Sequence, residues 1–322
     1  MATITRRLAL ATLPLTLPAL RAMAQPAFPT RPIRIVVPFT PGGGTDILTR
    51  TVGERMTAAL GQPVVVENRA GGNTVVATEA VARAEPDGHT LLMQTNNFTV
   101  NVSLYPQLPY DTFRDFAPVS LVASNPHILV VPASSPAKSL AEFIALAKAR
   151  PGTLNFGTAG SGTVNHMAGE AFQLQTDTRL VHVPYRGSGS LIPDLIAGRL
   201  DSHFAALPVV IAHLRAGTLR ALGLTTPNRH PAVPDVATLQ EQGVGDYDFR
   251  SWFGLLAPAR TPAAVIARLQ REASVAVNLP EVRARLTEYE THGSSPAEFE
   301  AFLKRDADVI GRLVRTLRIT LD

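Results

Sequence analysis

Two glycine-rich turns, each placed between an apolar strand and a helix, constrain the fold of this chain more than any other feature. The first is Gly42-Gly43-Gly44, which follows a predicted strand at Ile33–Val37. The second spans residues 157–163, about 115 residues later, and follows a predicted strand at 153–156. Such turns expose backbone N–H groups at a helix N-terminus, where the helix dipole favours negative charge, and glycine permits close approach of a ligand. Two of them predict two halves that hold one anionic ligand.

The N-terminus has the pattern of a secretory signal peptide. Arg6 and Arg7 precede a mostly apolar stretch at 8–20, and Ala22-Met23-Ala24 is the small-x-small pattern that signal peptidase recognises. We therefore expect residues 1–24 to be removed after Ala24 and the mature protein to lie in the periplasm. The arginine pair leaves the general secretory and twin-arginine routes open. A disordered cytosolic tail is the alternative interpretation.

Composition excludes several classes of protein. Removal of residues 1–24 lowers the number of basic side chains from 30 to 27 and leaves 26 acidic ones, so no basic excess points to nucleic acid. The absence of cysteine rules out disulfides and thiolate ligands, and the eight histidines show no metal-ligand spacing. No apolar run in the mature part reaches the ~18 residues of a membrane helix. We expect a monomer that spans no membrane and holds no cofactor or metal.

Strand and helix signals alternate along most of the mature chain, which is typical of an α/β fold. Short apolar segments predict strands at 33–37, 64–67, 90–93, 119–122, 128–131, 153–156, 180–183, 219–224 and 254–257. Apolar residues at helical spacing predict a helix over 46–60, and a capping box at Ser139 predicts another that ends at Ala149. We expect mostly parallel sheets with helices packed against them.

The C-terminal part is predicted to be helical. Thr261-Pro262 is expected to begin a helix that ends near Asn278, and Pro280 to begin another. A further capping box begins at Ser295. The helix after it places five apolar residues on one face, which we expect to be core: Phe299, Phe302, Val309, Ile310 and Leu313.

Two segments are candidate crossings between the halves. Residues 123–126 separate two predicted strands, and residues 243–251 precede the last predicted strand. If both are hinges, one lobe comprises residues 25–124 and 250–322 and the other residues 125–249, so each lobe has one glycine turn. Small-molecule sites commonly lie between domains, and closure about a hinge is the expected motion.

Each turn has a plain structural interpretation beside the functional one. The first could be a tight strand-to-helix connection capped by Thr45 or Asp46, although three glycines exceed what one turn needs. It is neither a Walker A loop nor a dinucleotide motif. The second mixes glycines with hydroxyls and has no Lys or Arg, which favours a carboxylate over a phosphate. Ser161 could instead be a nucleophile, but its surroundings do not match G-x-S-x-G.

Other polar residues follow predicted strands. Asn96 lies in a polar segment that could bind ligand or cap the next element. His166 could meet the ligand or form a structural hydrogen bond. Gly187 and Ser188 belong to a third strand-to-helix turn, which could add N–H donors. Asp46 could receive a ligand ammonium or complement a helix dipole, and Arg186 could pair with an acid or remain a solvated charge.

Several segments, in order along the chain, resemble one family. They are Arg31-Pro32-Ile33-Arg34-Ile35-Val36-Val37-Pro38-Phe39-x-Pro41-Gly42-Gly43-x-x-Asp46, Val66-Glu67-Asn68-Arg69-x-Gly71-Gly72, Pro86-Asp87-Gly88-His89-Thr90-Leu91-Leu92, Gly160-Ser161-Gly162-Thr163-x-x-His166, His182-Val183-Pro184-Tyr185-Arg186-Gly187-Ser188-Gly189, Pro234-Asp235-Val236-Ala237-Thr238 and Trp252-Phe253-Gly254-Leu255-x-Ala257-Pro258. The chain is similar to the substrate-binding proteins of tripartite tricarboxylate transporters, the Bug family.

The resemblance implies a two-lobed, type II-like periplasmic binding protein that closes on a small carboxylate and delivers it to a membrane permease. It also implies that both glycine loops, here residues 39–46 and 158–163, hold the carboxylate, partly through ordered water. With the turn residues above, the candidate ligand-binding residues are Phe39, Pro41, Gly42, Gly43, Gly44, Thr45, Asp46, Asn96, Thr158, Ala159, Gly160, Ser161, Gly162, Thr163, His166, Gly187 and Ser188. Asn73-Thr74 and the polar segment 94–97 depart from the family pattern, which indicates that the distal end of the ligand differs from that of simple members.

Two other functions remain open at this point. A secreted serine hydrolase would use Ser161 or Ser188, together with a histidine and an acid that the fold brings close. A sensor subunit would bind the same ligand but dock on a histidine kinase. The expected function is a non-enzymatic solute receptor.

Overall fold

The computed structural model describes residues 28–185, 187–317 and 319–320. The predicted signal peptide with its cleavage site, and Arg186, lie outside the described residues.

Strands and helices alternate along the chain. The strands are β1 (Ile33–Val37), β2 (Val64–Asn68), β3 (Thr90–Gln94), β4 (Phe116–Pro132), β5 (Asn155–Thr158), β6 (Val181–Pro184), β7 (Ser202–Ala206), β8 (Leu219–Leu224), β9 (Arg250–Pro258) and β10 (Glu290–Thr291). The helices are α1 (Gly44–Leu60), α2 (Val75–Ala82), α3 (Asn97–Leu104), α4 (Leu140–Ala149), α5 (Val164–Thr176), α6 (Ser188–Ile196), α7 (Leu207–Arg215), α8 (Ala263–Asn278), α9 (Pro280–Arg285) and α10 (Pro296–Leu317). A short 3₁₀ helix lies at Gly72–Thr74.

The strands pair in the order β2-β1-β3-β9-β4-β7-β5-β6, with β8 and β10 also paired to β4. The outer pairs β1–β2, β1–β3, β5–β6 and β5–β7 are parallel. The central pairs, which involve β4 and β9, are antiparallel. The α/β class is therefore confirmed, but the expectation of mostly parallel sheets is wrong because two long central strands run against their neighbours.

Strand β4 holds the two ends of the sheet together. Its first part pairs with β9 up to Pro126, opposite Arg250. From His127 onward it pairs instead with β7, and from Ile128 also with β8. The predicted interruption at 123–126 is wrong, since the polar residues there remain in a continuous extended strand. The proposed lobe boundaries coincide with this change of partner and stay a prediction.

Capping residues explain where several helices begin. Ser139 accepts a hydrogen bond from the N–H of Glu142, and Ser295 and Glu298 make the reciprocal bonds of a capping box, as predicted. Thr261 does not cap α8, because its hydroxyl donates to the carbonyl of Pro258. Strand β7 was not predicted, since Ser202-His203-Phe204-Ala205-Ala206 has no β-branched residue.

The core is built from apolar faces of helices packed on the sheet. Helix α1 buries Leu48, Val52 and Met56 against β1 and β3, and α5 buries Met167 and Phe172 on the other end of the sheet. Helix α10 buries Phe299 and Ile310, but Val309 is 52% exposed, which contradicts its prediction as core. No helix in the described ranges has the length and apolar character needed to cross a membrane.

Candidate functional site

A cavity of about 120 Å³ lies where the two glycine turns meet. Ten of the predicted site residues line it: Phe39, Pro41, Gly43, Gly44, Thr45, Asn96, Ala159, Thr163, Gly187 and Ser188. The structure thus brings both turns, and the third turn before α6, to one cavity. The other seven predicted residues are not among its lining: Gly42, Asp46, Thr158, Gly160, Ser161, Gly162 and His166.

The N-termini of four helices face this cavity. Helix α1 begins at Gly44, α3 at Asn97, α5 at Val164 and α6 at Ser188, and all four residues line the cavity. The first N–H groups of a helix have no partner within it, and together with the helix dipole they favour an anion. Gly187 has φ +115, and a Cβ added there would lie 3.6 Å from Oγ1 of Thr40 in the first turn. The positive φ favours glycine at this position, and the contact distance shows that the first and third turns lie close together.

No formal charge lines the cavity within the part of the chain that the structure describes, because its lining includes no Lys, Arg, Asp or Glu. The one titratable side chain there is His127, which is buried. Burial, and secondarily the nearby His203, lowers the pKa of His127 to about 3. Its Nδ1 lies 3.1 Å from the carbonyl oxygen of Phe204 and its Nε2 lies 2.8 Å from Oγ of Ser251. A neutral imidazole with its proton on Nδ1 satisfies both contacts.

Asp46 does not line the cavity but stabilises the first turn through hydrogen bonds. Its carboxylate accepts hydrogen bonds from the N–H of Gly42, from Nε of Arg50 and from Nδ2 of Asn68, each at 3.0 Å. Burial acts to raise the pKa of this carboxyl, but the hydrogen bonds from Arg50, Gly42 and Asn68 outweigh it and hold the pKa below its ordinary value. Both carboxylate oxygens are thus used within the protein, which disfavours Asp46 as the receptor of a ligand ammonium.

His166 supports the second turn in a similar way. Its Nδ1 accepts a hydrogen bond from the N–H of Gly162 at 3.0 Å, and its ring is stacked on that of His182 with centroids 3.8 Å apart. Thr158 is buried, and its hydroxyl lies 2.7 Å from Nε2 of His182. Gly160 has φ +137, a conformation that side chains rarely adopt. These residues fix the shape of the turn, and Ala159 and Thr163 present it to the cavity.

The rest of the lining was not among the candidate ligand-binding residues. These residues are Thr40, Thr95, Asn97, Asn125, His127, Val164, Asn165, Gly189, Ala206, Val209, Ser251 and Phe253. Thr95 and Asn97 belong to the polar segment after β3, Gly189 to the third turn and Thr40 to the first glycine loop, so the sequence pointed to their segments. Asn125 and Ser251 lie in the two candidate hinge segments, each beside another polar residue, Ser124 and Arg250, so local sequence gave no signal for either one.

A larger, mostly apolar cavity of about 590 Å³ adjoins the first and shares Gly43, Gly44, Gly189 and Val209 with it. Side chains from α1, α6 and α7 complete its lining, among them Ile47, Ile192 and His213. Ile47 is 46% exposed, so this side of the site is open to solvent. The two cavities share a wall formed by the first and third turns and by α7.

The described residues contain no cluster of three or more His, Asp or Glu side chains that could hold a metal ion. The cavity offers amide N–H groups, hydroxyls and side-chain amides, which suit binding of an uncharged or anionic polar group. Ser188 lines it and Ser161 does not. The arrangement is that of a binding site.

Comparison with known proteins identifies the family and the fold. A family model described as "Tripartite tricarboxylate transporter family receptor" matches residues 48–318. The chain is 36% identical to protein BugT of Bordetella pertussis over 271 residues, which cover 84% of this chain and 82% of that protein.

Two solved structures are similar over nearly their whole length. One is Rpa4515 of R. palustris with adipate, 32% identical, with a TM-score of 0.88 over 92% of this chain and 100% of that one. The other is MatC of Rhodopseudomonas palustris with bound malate, 31% identical, with a TM-score of 0.84 over 89% of this chain and 100% of that one. These similarities confirm the expected periplasmic binding protein fold.

Proposed function

Because this chain belongs to the tripartite tricarboxylate transporter receptor family, whose members are substrate-binding receptors rather than enzymes, we propose that it captures a small carboxylate in the cavity between its glycine turns. It would then deliver that ligand to the membrane permease of a tripartite tricarboxylate transporter. The observation that carries the proposal is the meeting of four helix N-termini at one cavity whose described lining has no charged side chain.

A carboxylate suits this cavity better than other small ligands. A hydrogen bond to a charged group contributes about 1.5–3 kcal/mol, so several N–H donors can hold an anion without a cationic side chain. A ligand cation would find no carboxylate on the described lining to neutralise it. The neighbours with adipate and malate show that similar chains accept carboxylates.

We place the ligand between two lobes, residues 25–124 with 250–322 and residues 125–249. The lining supports this, since Gly43, Asn96 and Phe253 belong to the first lobe and Asn125 and Thr163 to the second. Movement about the crossings in β4 and before β9 would open and close the cavity. We further propose that residues 1–24 direct export and that the mature receptor works in the periplasm.

The proposal is tested with mature protein that has been unfolded, freed of ligand and refolded. Mono-, di- and tricarboxylates and the matching amides are screened by thermal shift, followed by calorimetry. A bound carboxylate should raise the melting temperature with increasing concentration, because it stabilises only the folded state, whereas its amide analogue should not. A panel in which no carboxylate shifts the transition would contradict the proposal.

Delivery needs a separate experiment. The tagged receptor, loaded with the carboxylate that binds best, is incubated with membranes that contain the permease encoded with it. Retention on the permease, and uptake of labelled ligand that depends on the receptor, are expected. Retention instead on a histidine kinase ectodomain, with no effect on uptake, would show that the receptor acts in sensing.

A further inference from the structure

We propose that Asn125 selects carboxylates that also carry a hydroxyl group. The inference rests on the proposed function, since it concerns a second part of the same ligand. It assigns to one side chain the recognition of a group other than the carboxylate.

Asn125 is buried yet makes no hydrogen bond within the described chain. Its residue is 1% exposed, and both Nδ2 and Oδ1 lack a partner. Asn125 lies on β4 opposite Ser251 of β9. The next residue, Pro126, makes the last pair with β9, and from His127 onward β4 pairs with β7 instead. Asn125 also lines the cavity. An unpaired buried amide is costly, so its two polar atoms are expected to have a partner when the site is filled.

The other asparagines of the cavity differ in this respect. The side-chain amide of Asn96 makes two hydrogen bonds with the backbone of β9: Nδ2 donates to the carbonyl of Arg250, and Oδ1 accepts from the N–H of Trp252. Asn97 donates to Asn73, and Asn165 donates to the carbonyl of Phe204. These three position the cavity wall. Among the four, only Asn125 keeps its whole amide for a ligand within the part of the chain that is described.

The polar groups nearest to Asn125 in sequence and across the strand pair are already used. Oγ of Ser251 is bonded to Nε2 of His127, and Nδ1 of that imidazole faces the carbonyl of Phe204. His127 is neutral, since burial lowers its pKa to about 3. Neither group is a hydrogen-bond partner of the Asn125 amide within the described chain.

The chemistry of an amide decides what kind of ligand group fits. The amide donates through Nδ2 and accepts through Oδ1. A group that satisfies both atoms must therefore accept a hydrogen bond from Nδ2 and donate one to Oδ1. A carboxylate only accepts, and it would leave Oδ1 unpaired. An ammonium only donates, and it would leave Nδ2 unpaired. A hydroxyl group does both, which makes a hydroxy acid the ligand that satisfies Asn125 while its carboxylate meets the helix N-termini.

The test compares pairs of acids that differ only in a hydroxyl group. Malate against succinate and 3-hydroxybutyrate against butyrate are titrated into refolded, ligand-free protein by calorimetry. The hydroxy acid of at least one pair should bind about tenfold more tightly to the wild type, the ratio expected when a neutral hydrogen bond replaces an unpaired buried group. In Asn125→Leu, which has a similar shape, that ratio should fall to about one.

Two controls keep the outcomes separate. Asn228→Leu makes the same change at an exposed position and should preserve the wild-type ratio. Asn125→Ala repeats the test if the leucine variant does not fold. Equal binding of both acids in each pair by the wild type, or an unchanged preference in the Asn125 variants, would overturn this inference while leaving carboxylate binding intact. If no acid binds to the wild type, the proposed function itself fails, and this inference fails with it.

Discussion

The backbone N–H of Gly42 donates a hydrogen bond to Oδ2 of Asp46 at 3.0 Å, and this contact closes the first glycine turn on the beginning of α1. Arg50 and Asn68 hold the same carboxylate from the other side. The turn that faces the cavity is thus fixed by an acidic side chain that does not itself line the cavity. Residues around a binding site can therefore be needed for its shape rather than for contact with a ligand.

We predict that Asp46→Ala loses about 2 kcal/mol of stability, because three donors lose a charged acceptor, and that it weakens carboxylate binding as the turn loosens. Urea denaturation and calorimetry measure the two effects. Arg50→Met is the control: it removes one half-exposed donor and should cost less than about 1 kcal/mol. Wild-type affinity in Asp46→Ala would show that the turn keeps its shape unaided.

Gly43 offers a test of close approach at the cavity. Its φ of −77° is open to any residue, and an added Cβ would meet only the carbonyl oxygen of Thr40, at 3.7 Å. Gly43→Val should therefore fold but weaken ligand binding by about 1–3 kcal/mol, the usual cost of overpacking. Gly43→Ala should show a smaller loss. Equal affinity in all three proteins, measured by calorimetry, would place the ligand away from this turn.

Gly160 is expected to behave differently from Gly43. Its φ of +137° strains any side chain, and the residue does not line the cavity. Gly160→Val should lower the melting temperature of the ligand-free protein as well as its affinity. Loss of affinity with an unchanged melting temperature would indicate direct contact with the ligand instead.

Two buried histidines predict how stability depends on pH. Burial lowers the pKa of His127 to about 3 and that of His203 to about 4, from an ordinary 6.5. Below pH 6.5 the unfolded chain binds protons that the folded chain does not, so the free energy of unfolding decreases as pH falls. Each histidine should remove about 2 kcal/mol by pH 5. Denaturation curves at pH 7 and pH 5 measure the difference, and His203→Leu should reduce it by about half.

Asp306 gives a prediction of opposite sign. Burial raises the pKa of this carboxyl, although hydrogen bonds from Thr99 and from Nε1 of Trp252 oppose the rise. As pH rises above 3.8, this carboxyl ionises in the unfolded chain before it does so in the folded chain. Its contribution to the free energy of unfolding therefore decreases until the pH passes the folded pKa, and it stays at that lower value at higher pH. Asp306→Asn should flatten that part of the pH profile. Fluorescence of Trp252, the one tryptophan of the chain, follows the transition.

The two turns and most helices could be predicted because their signals are local. Gly42-Gly43-Gly44 and the capping boxes at Ser139 and Ser295 act on residues within one helical turn, so their effect does not depend on the rest of the fold. The ends of β9 were less predictable, since Arg250 and Ser251 are extended only because β4 lies beside them. Strand pairing is decided by distant segments, and propensity alone does not describe it.

The amino-acid sequence by itself determined the α/β class and the three strand-to-helix turns, because strand, glycine and helix signals are properties of neighbouring residues. Only the tertiary structure decided that β4 is continuous and that it brings Asn125 opposite Ser251, and His127 near both, at the cavity. Ser251 lies about 125 positions from the other two residues in the chain, and it is the pairing of β4 with β9 that makes them neighbours. Within the described residues, the Asn125 amide is left without a hydrogen-bond partner, a property that no sequence pattern contains.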